Sequence, residues 1–138
     1  MFNVMQNLNW ISIVLATLSL SLLGGVWFTV LFGKAYALAL GKEGSSKVKP
    51  APIYILGPLI CGLVTTIAMA ILIYAFEIES YVDAIVFGGI VGLGLLASTT
   101  INTGINPNIP RPLVYGLVSG SYFLLSGLIA SIILVAMK

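Results

Sequence analysis

The chain has 138 residues, of which 59% are hydrophobic and only 7% charged, with a formal net charge of +2. Charged residues make up about a quarter of an ordinary soluble domain, so this composition excludes a water-soluble globular fold. So small a positive charge gives no basis for nucleic-acid binding. With no histidine and one cysteine, Cys61, a conventional zinc or haem site has almost no ligands to draw on.

Four runs, residues 10–32, 53–76, 84–101 and 113–137, hold no Asp, Glu, Lys or Arg. Each is close to the roughly 20 apolar residues that cross a hydrocarbon core about 30 Å thick. They predict an all-α integral membrane protein, a single domain over residues 1–138. Its four transmembrane helices, at about 9–33, 52–76, 82–103 and 112–137, are expected to form a compact bundle.

The first span opens at Asn9-Trp10. Trp10 and Trp27 are separated by about 25 Å at 1.5 Å per residue, which suits indoles in opposite interfacial belts. Phe32 and Lys34 complete this set of expected anchors. Thr17, Ser21 and Gly25 recur every four residues and form a candidate packing or oligomer face. A loop carrying Lys34, Lys42, Lys47 and Lys49 follows. The second span starts after Pro50-Ala51-Pro52, a favourable place for proline. It contains Pro58 and also Cys61, which reads as a small packing residue.

Ser80-x-x-Asp83 resembles a capping box and predicts the start of the third span. Gly88 and Gly92 give that span a small-residue face. Its end is unusually polar. Ser98, Thr99, Asn102 and Asn106 are the candidate polar site, since hydroxyls and amides bind ions, headgroups or polar solutes. They do not act as acids or bases near neutral pH. Pro107, Pro110 and Pro112 break the chain before the fourth span, where Gly116 and Gly120 extend the small-residue pattern.

Several residues carry a resemblance. Asn9-Trp10, Leu23-Gly24, Trp27-Phe28, Leu31-Phe32-Gly33-Lys34 and Tyr36, with Gly120-Ser121-Tyr122 later, resemble the signature of a bacterial and fungal membrane family. It is the domain-of-unknown-function family numbered seventeen sixty-one. The chain departs from it at Phe28, where the family often has Tyr, and at Phe123, where it often has His. The resemblance implies four transmembrane helices and no assigned activity.

Basic residues are concentrated in the loops at 34–51 and 104–111, with only Lys138 on the other side. This bias predicts loops in the cytoplasm and both termini outside, in a bacterial cytoplasmic (inner) membrane. No carboxylate lies inside a span to couple protons to transport, and no nucleophile–base pair is present. The expectation is a non-enzymatic structural or accessory protein, with neither cofactor nor metal. Its expected partners are membrane lipid, its own copies or a larger membrane complex. The alternative is a small-solute permeation or transport protein whose polar vestibule is formed by the end of the third span.

Overall fold

The computed structural model describes residues 3–45 and 49–138, so the loop lysine Lys47 lies outside the described residues. Four apolar helical spans are present: Trp10–Leu31, Ile53–Ala75, Tyr81–Gly104 and Pro112–Ala136. No strand occurs among the described residues. This is a multi-pass membrane protein. The observed bounds differ from the expected ones by one or two residues at most ends, where caps and prolines set the limits. A short connecting helix, Gly33–Ala39, follows the first span.

Local chemistry sets the first turn of three of the spans. Asn9 Oδ1 accepts from the backbone N–H groups of Ile11 at 3.0 Å and Ser12 at 3.3 Å. Ser80 Oγ accepts from Asp83 N–H at 3.0 Å and donates to Asp83 Oδ2 at 2.7 Å, as the Ser-x-x-Asp spacing predicts. Pro112 occupies the first turn of the fourth span.

Two spans are not uniform α-helix. The first changes to π-helix over Trp27–Leu31, with Phe32 N–H bonding Trp27 O at 2.8 Å. The third is π-helical over Ile90–Ala97, between α segments Tyr81–Gly89 and Ser98–Gly104. The apolar pattern alone predicted unbroken spans. Gly92 and Gly94 lower the helical preference of that stretch, so packing against the fourth span decides its winding.

The fourth span is the hub, touching the first, second and third spans and the connecting helix. The third span lies along it, whereas the first packs on both the second and the fourth. Ile13, Met69, Ile73 and Leu134 are the largest apolar side chains with almost no exposure. They place the tightest packing near the end that carries the termini. There Asn9 Nδ2 donates to Met137 O at 2.7 Å, and Asn9 N–H bonds Tyr74 Oη at 3.3 Å. Lys138 Nζ adds a bond to Ile78 O at 3.3 Å and an ion pair with Glu79 at 3.7 Å. At the other end the two long loops meet. Arg111 N–H bonds Ala39 O at 3.2 Å, and Gly41, at φ 67°, turns beside Pro110.

Candidate functional site

The small-residue positions divide into used and unused sets. A Cβ added at Gly88 would lie 2.6 Å from Gly127 O, and one at Gly92 would lie 2.8 Å from Leu124 O. Third and fourth spans therefore touch backbone to backbone, the contact small residues permit in lipid. Gly116 and Gly120 face the Ile101 side chain instead, at 3.4 and 3.2 Å. Thr17 is buried and bonds Ile13 O at 2.8 Å. Ser21 is half-buried and bonds Thr17 O. Gly25 meets nothing within 4 Å, and the same holds for Gly57 and Gly62 on the second span.

The polar stretch bonds chiefly to its own backbone. Ser98 Oγ donates to Gly94 O at 2.6 Å, and Thr103 Oγ1 donates to Thr99 O at 2.9 Å. Asn102 is exposed. Asn106 Nδ2 donates to Thr103 O at 2.6 Å while its Oδ1 accepts from Asn108 N–H at 2.8 Å. Ser98 and Thr103 bond back within the span and Asn106 ties the turn after it, a local competition typical of Ser, Thr and Asn.

The expected anchors also separate. Trp10 is half exposed at the termini end. Trp27 instead turns inward, and its Nε1–H donates to Val118 O on the fourth span at 2.9 Å. Phe32 lies against Trp27 with ring centroids 4.5 Å apart. Lys34 is exposed beside a shallow hollow that Glu43 also lines.

An aromatic seam runs through this end. Phe28 contacts Tyr36 at 4.8 Å and Tyr122 at 5.1 Å, and Tyr36 reaches Tyr115 at 6.0 Å. Tyr122 Oη donates to Leu20 O at 3.0 Å. Burial, and secondarily the neighbouring Tyr115, holds the Tyr36 phenol above its usual range. Residue spacing gives no sign of this seam, because its members come from three separate segments.

A sequence model of the family described as "Protein of unknown function (DUF1761)" matches residues 11–135. The chain belongs to this family. No curated protein and no solved structure matches it. The residues through which the chain resembles DUF1761 now have positions. Asn9 caps the first span and reaches the end of the fourth, Trp27 ties those same two spans, and Tyr36 joins the aromatic seam. For this DUF1761 protein the resemblance therefore falls largely on contacts that hold the bundle together.

Proposed function

We propose that this protein is a non-enzymatic accessory subunit of a bacterial cytoplasmic membrane that works by helix association, first with a second copy of itself. One observation carries the reading: residues 53–64 include no buried position, although they form half of a membrane span. The buried residues of that span, Thr66, Met69, Ala70 and Ile73, all lie in its other half.

The free half is also an expensive sequence for a helix that meets only lipid. Each interior glycine costs about 1 kcal/mol relative to alanine, and proline about 3 kcal/mol. Gly57, Pro58 and Gly62 bring both penalties, although a Cβ at either glycine would meet nothing within 4 Å and Pro58 is exposed. On the face away from Met69 and Ile73, Gly57, Cys61, Val64 and Ala68 recur at i, i+4, i+7 and i+11. Such a seam lets two backbones approach closely. Because it lies on one helix, a two-fold pairing needs no second complementary patch.

Cys61 is exposed at the middle of this seam and supplies the test. Mild oxidation of membranes should trap a Cys61–Cys61 dimer. Gly57→Leu should lower dimer yield about tenfold, equivalent to about 1.4 kcal/mol. Failure to cross-link, together with monomers alone in native mass spectrometry, would overturn the reading.

The orientation follows from charge. Lys34, Lys42, Lys49 and Arg111 are all exposed at the loop end, and a basic bias of that kind marks the cytoplasmic side. Ser45→Cys and Glu79→Cys, each in a Cys61→Ala background, test it with an impermeant thiol reagent on whole cells. The cysteine at position 79 should label directly, and the one at 45 only after permeabilisation. The reverse pattern would refute this topology.

A further inference from the structure

The second and third spans leave their connecting turn and diverge. Between them lies an open apolar groove of about 490 Å³. Leu72 and Phe76 line one wall, and Val86, Phe87, Ile90 and Leu95 line the other. Along the third span the lining runs from Asp83 to Leu95, about 18 Å at 1.5 Å per residue. One leaflet of a core about 30 Å thick is about 15 Å deep. The third-span wall of the groove is therefore about one leaflet long.

Its lining selects the kind of occupant. Apart from Glu77 and Asp83 every lining residue is apolar, a surface that a hydrocarbon chain covers.

The mouth selects the headgroup. Glu77 and Asp83 both line the groove at its turn end, and both are exposed. The nearby cation, Lys138, is already engaged by Glu79 and by Ile78 O. Ser80 Oγ–H donates to one Asp83 oxygen and leaves the carboxylate charge in place. Two carboxylates at the depth of the headgroups repel an anionic lipid and attract a primary ammonium, which also donates hydrogen bonds.

We propose that this groove holds one acyl chain of an aminophospholipid, with its ammonium group paired to the carboxylates of Glu77 and Asp83. The site is independent of the association assigned to the free half of the second span.

Native mass spectrometry from mixed-lipid nanodiscs tests it. Phosphatidylethanolamine, phosphatidylcholine and phosphatidylglycerol with identical chains would be supplied in equal amounts. Phosphatidylethanolamine should be retained about fivefold over phosphatidylglycerol, the scale expected for two partly exposed ion pairs. Phosphatidylcholine, which lacks ammonium hydrogens, should fall between them. The double variant Glu77→Gln, Asp83→Asn should lose the preference. Glu77→Gln alone, which leaves the Ser80–Asp83 cap intact, should lose part of it. Ile90→Trp, which fills the groove, should reduce retention of all three lipids. Equal retention of the three by the native chain would overturn the site, as would a preference that survives the double variant.

Discussion

Gly127→Val is expected to separate the third span from the fourth and to be the most damaging single substitution in the bundle. A Cβ at Gly127 would lie 2.5 Å from Gly88 O, 2.6 Å from Gly92 Cα and 2.8 Å from Gly92 N. All three are backbone atoms, so no rotamer change relieves the clash. Overpacking a core whose side chains are able to shift costs about 1–3 kcal/mol. Here two helices must move apart along the whole crossing, so a loss of about 3 kcal/mol or more is expected. Gly116→Ala should be far milder, since the added Cβ would meet only Ile101 side-chain atoms, at 3.4 Å and beyond, an ordinary van der Waals contact. Gly25→Ala, which meets nothing, should be neutral or stabilising by about 0.4–1 kcal/mol through the unfolded chain. Steric-trap unfolding in bicelles measures all three. Equal losses at Gly25 and Gly127 would contradict the backbone crossing.

Asn9→Ala should cost about 2 kcal/mol, because Asn9 does two jobs. Its Oδ1 caps the first span, worth about 1 kcal/mol. Its Nδ2–H donates across the bundle to Met137 O, worth about 0.5–1.5 kcal/mol. Asn9→Asp separates the two roles. A carboxylate keeps the cap and suits the positive helix terminus, but it offers no donor to Met137. It should therefore lose roughly half as much stability while helix content stays constant. A loss as large as that of Asn9→Ala would mean the link to Met137 carries the whole effect.

The spans were legible because charge and hydropathy mark them without ambiguity, and the capped starts were legible because Asn9 and Ser80 act within their own turn. Long-range partners were not. Thr17, Ser21 and Gly25 share a four-residue spacing, yet only the first is buried and the last faces open space. A step of four residues overshoots a 3.6-residue turn by about 40°. Gly25 therefore sits about 80° around the helix from Thr17. Trp27 is spaced for an interfacial belt, but it finds an acceptor in the Val118 carbonyl on a helix about ninety residues further along the chain. The polar end of the third span reads from composition as a site. In the structure Ser98, Thr103 and Asn106 bond back to nearby carbonyls, a choice that residue types alone do not reveal.

The central position of the fourth span sets an order of assembly. It is the hub, and among the four it is the last to be synthesised. Asn9 and its acceptor Met137 are 128 residues apart. At about 5–20 residues per second that separation is a delay of roughly 6–26 s. The third span ends at Gly104 and the fourth at Ala136, so for the last roughly 2–6 s of that delay the first three spans are complete without their common partner. The glycine face at Gly88 and Gly92 is then uncovered and free to take a wrong helix. Arrival of the fourth span converts three loosely tethered helices into one body, so late elongation is the vulnerable step in this protein's biogenesis.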